Sequence, residues 1–327
     1  MTEQLKLKLN DSKATRWGAL VIVAFTMMAA YYVNDVVAPL KTMLETDLAW
    51  SSTDFGFFTG GYSFLNVFFL MLIWGGLILD RFGIRFTGKL ATILMVGGTA
   101  LEYYAMTGLA GADATLFGIN EIFGYKTGVF VAFAGYSIFG VGAEVAGITV
   151  SKIIAKWFKG KELATAMGVQ VALARIGSQA GYAVAIPLAR AFGISTPVLL
   201  GLVLLLGGMI AFFIFAVMDK KLDKQMEAAA IAAGTEDEEE KFSFKDVKNI
   251  LVNPGFWLIA LLCVLFYSCV FPFQKFASEL MIIKYGINEN VAGTFAGLPA
   301  LGALILTPVF GGFIDKRGKS ASIKIGR

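Results

Sequence analysis

"GGLILDRFGIR" spans residues 75–85, and "GGFIDKRGKSA" spans residues 311–321. Both run Gly, three residues, Asp, a basic residue, one further residue, Gly, and they lie 235 residues apart. The first copy is carried by Gly76, Asp80, Arg81 and Gly83, and the second by Gly311, Asp315, Lys316 and Gly318. Each charged loop follows a long apolar run. A loop written twice in that setting marks an internal repeat, and the surrounding chain decides what is repeated.

The setting is hydrocarbon. Of the 327 residues, 57% are hydrophobic and 16% charged, with a mean hydropathy of +0.71. Soluble domains carry about a quarter charged residues, so the composition is that of a membrane protein. A spanning helix takes roughly 20 mostly apolar residues. Eight segments qualify: 17–40, 53–79, 86–108, 127–154, 163–189, 196–218, 255–283 and 291–314. The first is too long for the apolar core of a cleaved secretory signal, so it is expected to stay in the protein. The expected organisation is a polar tail (1–16), a six-helix bundle (17–218), a polar linker (219–254) and the start of a second bundle (255–327). The linker carries an acidic run, Glu236 to Glu240, between basic residues; it is read as solvated chain, with regulatory docking as the alternative.

Orientation follows from Lys and Arg, which favour the cytoplasmic side of short loops. The tail, the 80–89 loop, the 152–161 loop, the linker and the stretch after the eighth segment hold 22 of the 28. The alternate loops hold four: Lys41, Lys126, Arg190 and Lys284. The N-terminus and both repeated loops are therefore expected in the cytoplasm, in a multi-pass protein of the cell membrane. The remaining two basic residues, Arg175 and Lys275, fall inside apolar segments, as do Asp35, Glu102 and Glu144.

A charge at bilayer depth costs about 3 kcal/mol on insertion scales, so it faces a partner or a water-filled cavity. Glu144 and Arg175 lie near the middle of the fourth and fifth segments. One reading is a binder for a zwitterion, with the carboxylate for an amine and the guanidinium for a carboxylate. The other is a buried pair that ties two helices. Asp35, beside Asn34 and ahead of Pro39, is read as a cap, a gate or a ligand. Glu102 is read as an interfacial carboxylate reaching for water. Lys275 follows Pro272, where a broken helix is expected, and it either pairs with Glu279 at i, i+4 or serves a site or gate. Glu144 is also the candidate carrier if a proton is coupled.

There is no histidine, which removes histidine metal sites, bases and relays. Cys263 and Cys269 sit in one apolar run and suit neither a disulfide framework nor zinc. No hydrolase motif is present. The sequence points to no enzyme, no cofactor, no metal and no nucleic acid, and it names no protein partner.

Six helices, a linker and a restart with the same loop resemble the major facilitator superfamily, whose loop between helices two and three has the G-x3-D-[RK]-x-G pattern with a weaker copy between eight and nine. The resemblance implies an all-α transmembrane fold. The chain would hold the six-helix N-terminal half and the first two to three helices of the C-terminal half. It also implies that the loops form a conformational latch, and that a twelve-helix protein is truncated here at its C-terminus. "YYVNDVVAPL" (31–40), "GVGAEVAGITVSKIIAKWFKGKELATAMGVQVALARIGS" (140–178) and "FYSCVFPFQKFASELMIIKYG" (266–286) resemble the subfamily of the lysosomal dipeptide uniporter. That implies dipeptides as solute, Glu144 and Arg175 as peptide contacts, and facilitated diffusion rather than coupling. Since helices one, two, four and seven line the pore in this family, Tyr31, Tyr32, Tyr62, Tyr136 and Tyr267 become cavity candidates. An organic anion held by Arg175 is the alternative solute.

Overall fold

The structure, a computed structural model, describes residues 8–111, 114–233 and 251–317. All eight apolar segments are helical. The elements are α1 (Lys13–Val36), α2 (Lys41–Asp47), α3 (Ser52–Phe68), α4 (Met71–Thr107), α5 (Thr127–Trp157), α6 (Leu163–Phe192), α7 (Thr196–Ala233), α8 (Pro254–Tyr285), α9 (Glu289–Ala296) and α10 (Leu298–Arg317). A two-residue hairpin, β1 (Glu121–Ile122) with β2 (Tyr125–Lys126), sits in the loop ahead of α5. Local signals start the helices. Ser12 accepts from the Thr15 amide, Ser51 and Asp54 form a reciprocal capping box, and Asn253 caps α8 ahead of Pro254; each satisfies amide donors that the first turn leaves free.

Among the described residues five helical runs are long and apolar enough to cross a membrane, and α3 with α4 qualifies as a bent pair. The breaks differ from expectation in instructive places. The second segment is interrupted between Phe68 and Met71, where Leu70 adopts a left-handed conformation with φ 52°. The turn between the second and third segments lies inside α4 at Gly83, with φ 75° and ψ 172°. A side chain there would be strained, which explains the last glycine of the repeated loop. The sixth segment does not end at 218; α7 continues to Ala233, into what reads as linker. The rest of the linker, including the acidic run, lies outside the described residues. Pro272 does not break α8, which runs through it. The eighth segment is divided at Gly297 into α9 and α10.

Small residues set the helix spacing, as in lipid-embedded bundles. A Cβ at Gly140 of α5 would lie 2.4 Å from the Tyr62 carbonyl oxygen of α3. One at Gly177 of α6 would lie 2.0 Å from the Met28 carbonyl oxygen of α1. Backbone meets backbone at both crossings, and these contacts hold α5 and α6 against the helices that share the central cavity.

We call the face carrying residues 8–12 and the turn at Gly83 the near face, and the opposite one, with α2, the far face. On the near face Asp80 pairs with Lys152 of α5 at 2.8 Å. The first loop is thus tied to α5 of its own half. Beside it, Arg85 and Lys156 pair with Asp219 and Asp223 of α7, and the Trp157 indole donates to buried Asp219. Of the second copy, the side chains of Asp315 and Lys316, and Gly318 altogether, lie outside the described residues.

Candidate functional site

α1, α3, α5, α6 and α8 enclose a cavity of about 680 Å³, a size that suits a small organic solute. Glu144 from α5 and Arg175 from α6 both line it. Their arrangement bears on the two readings of this pair. Glu144 accepts a hydrogen bond from the Tyr62 hydroxyl at 2.7 Å. Arg175 stacks its guanidinium over the Tyr31 ring at 5.3 Å, and its buried Nε has no hydrogen-bond partner. No ion pair joins Glu144 to Arg175. Two opposite charges therefore face one chamber, each steadied by a tyrosine and neither neutralised by the other. The buried-pair alternative is not what this structure holds.

Lys275, from α8, lines the opposite wall next to Pro272. Its ammonium donates to the Asn34 carbonyl oxygen and, at 3.0 Å, to the Tyr136 hydroxyl. It lies 4.0 Å from Asp35. It does not pair with Glu279, which instead accepts from Lys41 at 2.5 Å. The i, i+4 pairing fails because Lys41 reaches Glu279 from α2 and Lys275 is drawn to α1.

Two residues expected as solute contacts stand behind the wall. Asp35 is buried and accepts from the Asn34 amide at 2.8 Å; Asn34, not Asp35, lines the cavity. Tyr136 is fully buried, and its hydroxyl bonds to Asn34 and Lys275. Both position groups that face the chamber. Of the five tyrosine candidates, Tyr31, Tyr62 and Tyr267 line the cavity, whereas Tyr32 turns away to the Pro197 carbonyl. Sequence reading did not single out Ser63, Thr59, Met27, Phe271 or Phe276; uncharged side chains on apolar helices carry no signal of which way they face. Glu102 is corrected more sharply. It is fully buried rather than interfacial, and both carboxyl oxygens lack hydrogen-bond partners.

Cys263 and Cys269 are free and exposed on α8. Among the described residues no cluster of acidic and cysteine side chains could hold a metal ion.

A discontinuous helical bundle with opposite charges around a central chamber is the architecture of a membrane facilitator. The profile of the Major Facilitator Superfamily matches residues 17–327, and the chain belongs to that family. Among curated relatives it is similar to the lysosomal dipeptide transporter MFSD1 of Homo sapiens, 27% identical over 94% of this chain and 63% of the relative. The MFSD1 proteins of Pongo abelii and Danio rerio are 27% and 26% identical, each over 92% of this chain and 61% and 62% of their own lengths. The chain thus spans a little over three fifths of the relatives it matches.

Proposed function

We propose that the protein is a secondary transporter that moves small zwitterions, dipeptides first among them, by alternating access. The observation that carries this reading is the unpaired presentation of Glu144 and Arg175 to one cavity. A dipeptide carries an ammonium at one end and a carboxylate at the other. Glu144 is the acceptor for the first and Arg175 the donor for the second, and both contacts are charge-assisted. The similarity to proteins named dipeptide transporters supports the same class of solute. Lys275 supplies a second cation near the chamber, and Asn34, Tyr31 and Tyr62 complete its polar lining. Asp35 and Tyr136 act as positioning residues. Gly76, Asp80, Arg81 and Gly83 belong to the latch that distinguishes access states, together with Asp315, Lys316 and Gly318.

The bilayer is the working environment. We place the near face on the cytoplasmic side of a cell membrane, on the 22-to-four split of basic residues between alternate polar segments of the sequence. Facilitated diffusion needs no coupled ion. The buried carboxyl group of Glu102 favours a second mode, in which a proton moves with the solute.

The test is thermal stability of the full-length protein in detergent with alanyl-alanine. A ligand at 100 times its Kd stabilises the folded state by about 2.7 kcal/mol. Wild type should melt higher with the dipeptide, and Glu144→Gln and Arg175→Ala should lose the shift. No shift in well-folded wild type would end the dipeptide reading. A shift with succinate alone, lost in Arg175→Ala, would establish the organic-anion alternative.

A further inference from the structure

Behind the cavity wall lies a second ionisable cluster, and its charges do not balance. Glu102 of α4 packs closely on α5, where a Cβ at Gly135, next to Tyr136, would lie 2.9 Å from the Glu102 nitrogen. Asp35 lies 4.0 Å from the Lys275 ammonium and accepts a hydrogen bond from Asn34 at 2.8 Å. Glu102 is 0% exposed, and neither oxygen has a donor. The elements packed around Glu102 offer little else. α5 presents the Tyr136 hydroxyl, already bonded to Asn34 and Lys275. α3 presents no charged side chain between 55 and 68, and its one titratable group there, the Tyr62 hydroxyl, donates to Glu144. α7 has no Asp, Glu, Lys or Arg between 196 and 218, and the same-face neighbours of Glu102 on α4 itself are Gly98, Thr99, Ala105 and Met106, of which the buried Thr99 hydroxyl has no hydrogen-bond partner either.

Lys275 lines the chamber, and Asp35 has that cation at 4.0 Å and a donor in Asn34. Glu102 has neither, and an ionised carboxylate buried without partners is among the costliest groups a protein can hold.

We propose that Glu102 is a proton-binding site, occupied in this conformation and sealed by Lys275 and Tyr136. Lys275 is borne on α8, beyond the linker, while Asp35, Glu102 and Tyr136 are borne on α1, α4 and α5. Separation of the two groups of helices at the far face withdraws the lysine and admits water. Glu102 then exchanges its proton, and Asp35 loses its cation. The proton therefore binds apart from Glu144, which stays free for the solute amine. Use of this site for coupled transport rests on the transporter reading above; its occupancy by a proton does not.

The experiment is infrared difference spectroscopy of the full-length protein in lipid at neutral pH, reading the carbonyl stretch of un-ionised carboxylic acid. Wild type should show an acid band at the frequency of a carboxyl without hydrogen bonds. Glu102→Gln, a neutral isostere, should fold and lack the band; Glu102→Asp should keep it, displaced. Lys275→Gln should speed the shift of that band on transfer into deuterium oxide, because the lysine no longer seals the site. An absent band in wild type, a band unchanged in Glu102→Gln, or failure of Glu102→Gln to fold would each overturn the proposal. An exchange rate unchanged in Lys275→Gln would overturn the sealing role of the lysine. None of these readings involves a solute, so they separate this proposal from the dipeptide assignment, which the thermal shift tests.

Discussion

Two sets of charges sit on neighbouring stretches of α1–α2, α5, α6 and α8, and they are treated in opposite ways. At the far face the charges are matched. Lys41, 3% exposed, donates to Glu45, Ser52 and Glu279, and Arg190 pairs with Glu289 and bonds Asn290. Glu279, Glu289 and Asn290 lie beyond the linker and their partners before it, so the matched charges clasp the two parts of the chain together. In the chamber, Glu144 and Arg175 are left unmatched although both face the same space. Charges that satisfy each other hold a conformation; charges held apart by tyrosines keep their interaction free energy for something that enters. The far-face pairs join the two parts of the chain, and the chamber charges stay open to a partner from outside it.

The largest expected effect breaks the contrast at the chamber. Glu144→Gln removes the acceptor for an ammonium, a charge-assisted contact worth about 1.5–3 kcal/mol. Affinity for alanyl-alanine should fall about 10- to 100-fold, measured by thermal titration or calorimetry. N-acetyl-alanyl-alanine, which has no ammonium, should bind wild type and Glu144→Gln alike. An equal loss for both ligands would mean that Glu144 supports the fold and not the amine.

The next effect acts at the clasp. Lys41→Met leaves Glu45 and Glu279 without their shared cation, but their side chains are 28% and 23% exposed, so water offsets part of the loss. A shift of about 1–2 kcal/mol, or roughly tenfold in the balance of access states, is expected. Spin labels on T46C and K284C, in a background with Cys263 and Cys269 replaced by Ser, would report a longer distance distribution at the far face. Dipeptide affinity measured in a far-face-open state should be unchanged. An unaltered distribution would show that the clasp is decoration.

Smaller still is the effect of the tyrosine that holds Glu144. Tyr62→Phe deletes one hydroxyl, whose loss frees the carboxylate to sample other rotamers before binding. About three- to tenfold weaker alanyl-alanine binding is expected, near 1 kcal/mol. The direction matters. A tighter complex in Tyr62→Phe would mean that the hydroxyl competes with the solute amine instead of aiming the carboxylate.

The same contrast shows what the sequence makes legible. Every apolar segment is found as helix, because a chain in hydrocarbon must satisfy its backbone internally and cannot disguise the length of its spans. Glu144, Arg175 and Lys275 stand out for a related reason: a charge at that depth is too costly to be incidental. Rotation about the helix axis is what stays hidden. α5 is apolar nearly all round, so no stripe in its sequence tells that Tyr136 points behind the wall while Glu144 points into the chamber. Glu102 misled for the same reason: its position late in the third segment suggests an interface, yet α4 turns it inward. Lys41 reads as a loop residue by position, and only the return of α8 beside α2 shows it buried. Pro272 suggests a break, but a helix in a bundle tolerates a missing amide where neighbours or a cavity cover the freed carbonyl. The reverse error occurred at Leu70, where no proline or glycine announces a left-handed residue.

The near face offers the smallest prediction and the sharpest control, since its charges are matched like those of the clasp but, among the described residues, join stretches from the N-terminal turn to α7. Asp11 accepts from Lys161 at 3.0 Å, and Arg16 donates to Glu162 at 2.8 Å. Lys161 holds the Asp11 carboxyl below the usual carboxylate range, and Arg16 does the same for Glu162. A carboxyl whose folded value is depressed contributes stability above its unfolded value, near 4, and loses it as pH falls through the folded value. Both carboxylates are 41% exposed, so solvent screening keeps the effect small. The melting temperature should decline by about 1–2 °C more between pH 5 and 3 in wild type than in the Asp11→Asn, Glu162→Gln double variant. The far-face spin-label distances should not respond to that variant. If they did, the near-face pairs would be communicating with the clasp, and the division between charges that brace one part of the chain and charges that join two would fail.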